Sequence, residues 1–433
     1  MSRKKPKHYK QIIGNAKTLQ CVALGGRIPI NINGGAIDGN RTCVEAQKLY
    51  NVAGRGGNIG GICPMMVNWR LDSTGIFEGA NSIRIAASIL TPLIGTARKY
   101  TFKSELNPII SKGATIIADY GFDMDIAANT QFLMRFSAQV STAGYTIIGG
   151  NLSASLTYDL SKSHTDSIIP IDETANCGGR VHNNVAIGSY APTNAANALF
   201  PYTAACILGY SERPQVAVLV IGDSNAYGTG DATFGDGQGA VGYIERGLRS
   251  TASGVTAGSN WSRSGGTLGI YTAGNAPQLF ESMKYHTHLL QQLSGNSIGA
   301  GTSLAMMKQL TVIAWEAAKT RNLRTIQLSS LPRTTNASNI AVAVGWEVGG
   351  LRDQYNLWAQ SVVGQKINAN GDLSANGVIY LDAYWNCNDL LQNPATNLWL
   401  SATYTSDGIH LSAIGHALAA TRIAALADGL TIY

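Results

Sequence analysis

The chain has 433 residues, of which 45% are hydrophobic, only 13% are charged and 49 are glycine. That length exceeds one ordinary domain, and the hydrophobic share is enough for two cores, which excludes a disordered chain. The net charge of +6 sits largely in Arg3, Lys4, Lys5, Lys7 and Lys10, so the body is near neutral. It offers no basic face for nucleic acid or an anionic membrane.

Residues 1–20 read as a basic, solvated tail. The run from Gln11 to Lys17 is broken by polar groups and makes a poor signal-peptide core. No stretch approaches the ~18 apolar residues of a membrane span. The six cysteines, Cys21, Cys43, Cys63, Cys177, Cys206 and Cys387, show no CxxC or other metal-like spacing. Disulfides in the first half and buried free thiols both stay open.

Residues 21–212 read as a β-rich domain. Short runs such as Ser82–Ile89, Thr115–Tyr120, Phe132–Ser137 and Tyr145–Ile148 are β-branched or aromatic, and each closes on Gly, Asn, Ser or Asp. Many short strands without helical periodicity predict an all-β sandwich or jelly roll. The glycine-rich stretch Gly54–Gly61 lacks the spacing and the helix of a phosphate loop and reads as a turn.

From residue 213 to 433 the texture becomes α/β. Val216–Ile221 is an unbroken apolar run, as expected of a strand buried on both faces. Helices are predicted over 239–250, 302–320, 350–365 and 413–427. Strands are predicted ending near Trp261 and over His288–Leu293, Thr325–Leu328 and Val378–Leu381. That alternation implies a doubly wound parallel sheet, whose chemistry belongs just beyond the carboxyl ends of the strands.

Gly222-Asp223-Ser224-Asn225 follows the first buried strand. A serine on a strand-to-helix turn exposes its hydroxyl, and a positioned imidazole makes it a nucleophile. Near the end stands Asp407-Gly408-Ile409-His410, where a carboxylate and an imidazole three residues apart can meet on one turn. Asn260 with Ser264-Gly265-Gly266-Thr267, and Leu293-Ser294-Gly295-Asn296-Ser297-Ile298, lie after the next two strands.

These four blocks, in this order, resemble the SGNH (GDSL-like) hydrolase family over about residues 213–433. The resemblance implies a flavodoxin-like parallel sheet and a serine ester hydrolase working through an acyl-enzyme. It makes Ser224 the nucleophile, His410 the base and Asp407 its orienting acid. The N–H groups of Ser224 and Gly265 and the amide of Asn296 become the oxyanion hole. The third block departs from the usual pattern at Ser294, normally glycine, and Ser297, normally aspartate. No metal or organic cofactor is implied.

Rival readings stand beside this one. Gly295-Asn296-Ser297-Ile298-Gly299 spells the GxSxG nucleophile elbow and would make Ser297 the nucleophile. His416 reads as structural. His286 and His288 read as packing or surface residues, with no carboxylate or cysteine completing a metal set. The loop Thr229–Gly239 and the aromatic stretch Tyr384–Tyr404 are candidates to shape a substrate pocket.

The expected substrate is a carboxylic ester, leaning to acetylated carbohydrate or short acyl esters, with an acylated polysaccharide a natural partner for an accessory β-domain. Lipid acyl-ester hydrolysis is one alternative, and a non-catalytic, glycan-binding or structural component of a virion or cell surface is another. Localisation is open, with a lean to secretion or to a virion or cell surface.

Overall fold

The computed structural model describes residues 19–432 except 30, 34–42, 73–74, 79–80, 91–97, 120–125, 140–146, 150–166, 171–201, 233–234 and 273–275. Residues 1–18 of the basic tail, Cys177 and the start of the strand expected at Tyr145–Ile148 lie outside the described residues. Among the described residues, no helix is long and apolar enough to cross a membrane.

Up to residue 211 the described residues form only strands and turns. Those used below are β1 (Gln20–Cys21), β2 (Ala23–Arg27), β3 (Cys43–Val52), β4 (Ile59–Val67), β5 (Ile83–Leu90), β6 (Gln131–Gln139) and β7 (Cys206–Ser211). One antiparallel sheet runs β1-β7-β4 and then Thr115–Ile117. A second runs β5-β6-β3-β2. Met65 and Ile207 of the first share an apolar cluster with Tyr50, Ile85, Phe132 and Phe136 of the second.

The second half alternates strand and helix. Its strands are β8 (Ala217–Gly222), β9 (Ala257–Asn260), β10 (His288–Gln292), β11 (Arg324–Leu328) and β12 (Ala383–Trp385). Its principal helices are α1 (Ser224–Tyr227), α2 (Gly242–Arg249), α3 (Gly295–Gly299), α4 (Leu304–Lys319), α5 (Leu351–Ser361) and α6 (Ala413–Asp428). The strands lie parallel in the order β9-β8-β10-β11-β12, which is the flavodoxin-like order.

The apolar run that becomes β8 explains why the sheet is covered twice. Val216, Val218 and Val220 join α2 and α6 through Ile244, Leu248, Ala419 and Ile423. Ala217, Leu219 and Ile221 point the other way, into the cluster that holds Met307, Trp315, Tyr355 and Trp358 of α4 and α5. Each such Val, Leu or Ile, fully buried, contributes roughly 1.5–3 kcal/mol. One element differs from the sequence expectation. Val378–Ile379 forms a small antiparallel ladder with Lys366–Ile367 outside the main sheet, and the fifth parallel strand is Ala383–Trp385. Exposed Val378 and Ile379 carry β propensity but bury no face there, whereas Trp385 is buried.

The two halves share a sheet. Strand β2 pairs parallel with β9 and antiparallel with β3, so the antiparallel and parallel parts form one continuous surface. Polar struts fasten the junction. Arg55, from the glycine-rich turn, donates to the Leu430 and Ala427 carbonyls at 2.8 and 2.9 Å and caps the C-terminus of α6. Asn51 and Gln131 donate to the Gln238 carbonyl.

Arg27, at the end of β2, is 7% exposed and pairs with Glu245 of α2, itself 1% exposed, at 2.8 Å. Removing one partner of a buried pair leaves the other charge uncompensated, typically at a cost of 3–5 kcal/mol. Arg27→Ala is expected to lower unfolding stability by about that much in urea titration. The double change Arg27→Met with Glu245→Leu should recover most of it. An unaltered midpoint in the single variant would contradict this role for the pair.

Candidate functional site

Strand β8 delivers the serine turn to the carboxyl edge of the sheet, where β9 and β10 flank it. A Cβ on Gly222 would overlap that of Ala226, so only glycine lets α1 fold back directly on the strand end. Asp223 caps α1 by accepting from the Asn225 N–H at 2.9 Å. The far end of this short helix is clamped as well. Asn260 Nδ2 donates to the Ala226 carbonyl at 2.8 Å. Arg27 donates to the Tyr227 carbonyl at 3.0 Å and lies over the Tyr227 ring.

The Asp407–His410 turn comes from the opposite end of the chain. Gly408 has φ +92°, a region that favours glycine, and a Cβ there would stand 2.6 Å from the Asn336 carbonyl. Asp407 Oδ1 accepts the N–H groups of Ile409 and His410, each at 2.8 Å. Its Oδ2 meets His410 Nδ1 at 2.7 Å.

The structure brings Ser224, His410 and Asp407 together. His410 Nε2 stands 2.9 Å from Ser224 Oγ, across 186 positions of sequence. The side-chain amide of Asn225 holds the two turns in place. Its Nδ2 donates to the Ile409 carbonyl at 3.2 Å and its Oδ1 accepts from Leu411 N at 3.0 Å, so it grips both peptides that flank His410. Sequence reasoning assigned Asn225 no role; its place beside the serine was the available signal.

The second and third blocks close on the same strand end. Arg263 N donates to the Gly222 carbonyl at 3.0 Å, and a Cβ on Gly295 would lie 3.3 Å from Asp223 Oδ2. The N–H groups of Ser224 and Gly265 donate to no acceptor among the described residues. Asn296 Nδ2 donates one hydrogen to the Gly266 carbonyl at 3.0 Å, which orients the amide and leaves its second hydrogen uncommitted.

The rival serine is placed differently. Ser297 is 2% exposed, and its Oγ accepts from Leu268 N at 3.1 Å. That is a structural bond to α3, and no imidazole among the described residues is hydrogen-bonded to Ser297. His416 is buried and structural. Its Nδ1 accepts from Tyr243 N at 3.1 Å, and Nε2 faces the Thr229 carbonyl at 3.0 Å. Burial holds its pKa below the usual histidine range, in keeping with the neutral ring that this pairing requires.

Parts of both candidate pocket segments are built into the frame. In the Thr229–Gly239 loop, Asp231 accepts the N-terminal N–H of α2 from Gly242 and pairs with Arg246. Trp385 and Trp399 are buried, and Trp399 donates to the Gly408 carbonyl at 3.2 Å beneath the Asp407–His410 turn.

Two carboxyl groups near the imidazole sit in opposite environments. Burial works to raise Asp407, but the His410 backbone N–H, the His410 ring and the Ile409 N–H outweigh it and hold the carboxyl below its usual range. Asp223 is 4% exposed, and burial pushes it up to about 6 against the Asn225 and Gln292 donors.

A carboxyl raised in the folded state stabilises the fold fully below the unfolded pKa of about 3.9. That contribution is lost as pH rises through about 6. Between pH 4 and 6.5 the native protein should therefore lose on the order of 2 kcal/mol more stability than Asp223→Asn. Parallel urea-stability curves for the two proteins across that range would contradict the assignment.

No known family model and no curated protein matches the sequence. Among solved structures, the chain is similar to a psychrotrophic esterase from Pseudoalteromonas, at 14% identity and TM-score 0.31, over 48% of this chain and 93% of that one. It is similar to a GDSL-like lipase from Bacteroides thetaiotaomicron, at 14% identity and TM-score 0.30, over 49% of this chain and 89% of that one. A Bacillus subtilis protein aligns over 87% of this chain and 79% of its own length, at 11% identity and TM-score 0.33. At these values the functional reading rests on the residues of the site.

Proposed function

We propose that the chain is a serine ester hydrolase of the SGNH type. Residues 213–433 form its catalytic unit, with β2 completing the sheet, and residues 21–212 are accessory. The observation that carries this reading is the unbroken hydrogen-bond chain from Ser224 Oγ through His410 to Asp407.

Ser224 Oγ attacks the ester carbonyl while His410 Nε2 accepts its proton. Asp407 fixes the ring tautomer by accepting from Nδ1 and stabilises the imidazolium that forms. The N–H groups of Ser224 and Gly265 and the free amide hydrogen of Asn296 receive the oxyanion. His410 then protonates the leaving alcohol, and water repeats the sequence on the acyl-enzyme to regenerate Ser224.

Ser224→Ala and His410→Ala are each expected to reduce kcat on an aryl acetate by up to about 10⁶. Asn296→Ala should cost about 10²–10³, as loss of one oxyanion donor does. Ser297→Ala should retain turnover. Full activity in Ser224→Ala would refute the reading, and loss confined to Ser297→Ala would move the nucleophile to α3.

The substrate is best read as a short acyl ester, with acetylated carbohydrate favoured by the accessory β part. A lipid acyl ester is the second reading, favoured by one observation. The segment from Thr334 to Val348 closes against Gly408 through the Thr334 N–H and the Asn336 carbonyl, and it exposes Ile340, Val344 and Val348. A series of nitrophenyl esters from acetyl to long acyl, run beside acetylated polysaccharides, separates the two. The first reading expects kcat/KM to fall with chain length and acetate to be released from polysaccharide; a steady rise with length would replace it with the second.

A further inference from the structure

Two cysteines and a histidine left unused by the site meet in the core. Cys21 ends β1, Cys206 begins β7, and His286 lies just ahead of β10. The β1–β7 register sets Cys21 against Leu208, which puts Cys21 and Cys206 diagonally on one face of an antiparallel pair. His286 reaches them from the lead-in to the parallel sheet. The thiols are fully buried and His286 is 5% exposed. One ligand atom from each lies within 4.8 Å of the others.

His286 Nε2 stands 3.9 Å from Cys206 Sγ, while Nδ1 has no hydrogen-bond partner among the described residues. A buried imidazole whose polar contacts are so weak is costly, and here its Nε2 edge faces sulfur. Ser259 Oγ lies 3.9 Å from Cys21 Sγ, on the strand beneath. The Trp261 ring stands edge-on to His286 at 5.9 Å. Sequence spacing offered no cysteine to complete a set around His286, because the partners come from β1 and β7.

We propose that Cys21, Cys206 and His286 form a structural binding site for a thiophilic divalent cation, zinc foremost, with the Ser259 hydroxyl beside the fourth position. Zinc bonds of about 2.3 Å to sulfur and about 2.0–2.1 Å to nitrogen set neighbouring donor atoms roughly 3.6–3.8 Å apart. The 3.9 Å between His286 Nε2 and Cys206 Sγ is already close to that range. Each thiol gives one proton to solvent on binding, so two thiolates neutralise the dication and no net charge is buried. No electron is transferred.

An ion here would tie β1 and β7 to the parallel sheet. None of its ligands is hydrogen-bonded to Ser224, His410 or Asp407, so ester turnover by folded protein is independent of the site.

The test uses the full-length protein, reduced, stripped with a chelator and titrated with Co²⁺ and then Zn²⁺. One equivalent of Co²⁺ should raise a near-ultraviolet thiolate-to-cobalt charge-transfer band and visible bands of a tetrahedral ion, and Zn²⁺ should abolish both. Cys21→Ser and His286→Gln should weaken binding by more than the roughly 10–100-fold typical of outer-shell changes, and Cys63→Ser should leave it intact. No charge-transfer band in the native protein would overturn the proposal. So would a band surviving in Cys21→Ser, or a Cys21–Cys206 disulfide whose reduction restores no metal uptake.

Discussion

The Asn225 side chain bonds to the peptides on both sides of His410, and the geometry of the proposed chemistry depends on that grip. A serine and an imidazole separated by 186 positions have no local reason to stay within hydrogen-bond reach. Asn225 supplies one by placing its two bonds on backbone that cannot rotate away, immediately beside the serine it serves. The clamp is itself held from three directions. Asp223 caps the first turn of α1, Asn260 holds the Ala226 carbonyl, and Arg27 reaches in from β2 to hold the Tyr227 carbonyl. The first half of the chain is thus part of the frame on which the serine turn rests.

The two carboxyl groups beside the site show how environment divides similar residues. Asp407 is partly open and receives three donors, so it stays ionised and can orient an imidazole and stabilise its charge. Asp223 is enclosed, and its role is to cap α1 and hold Gln292 at the strand end. An enclosed carboxyl with a raised pKa would suit proton transfer if a substrate reached it. At 4% exposure and engaged with the Asn225 N–H, it acts on the backbone instead.

The sequence was most legible where a local pattern decided the outcome. The run Val216–Ile221 had to be a doubly covered strand, and the glycine and asparagine blocks after β8, β9 and β10 had to fall at one sheet edge. The Asp407–His410 spacing likewise closes within a single turn. What could not be read depended on distant partners. Arg27 and Glu245 are ordinary surface-type residues until β2 joins β9. Tyr384–Tyr404 reads equally as a pocket lining or as packing, and only the fold shows that Trp399 supports Gly408. Val378–Leu381 had the composition of a core strand but no face to bury, and the sheet took Ala383–Trp385 in its place.

The central claim is that the Ser224 hydroxyl is activated by the imidazole of His410. Stoichiometric labelling with a fluorophosphonate, mapped by peptide mass spectrometry, tests it most directly. The account predicts one adduct per chain, on Ser224, formed at least about 10²-fold more slowly in His410→Gln, as expected when a general base is lost. Absence of an adduct, an adduct on Ser297, or equal labelling rates with and without the imidazole would contradict it.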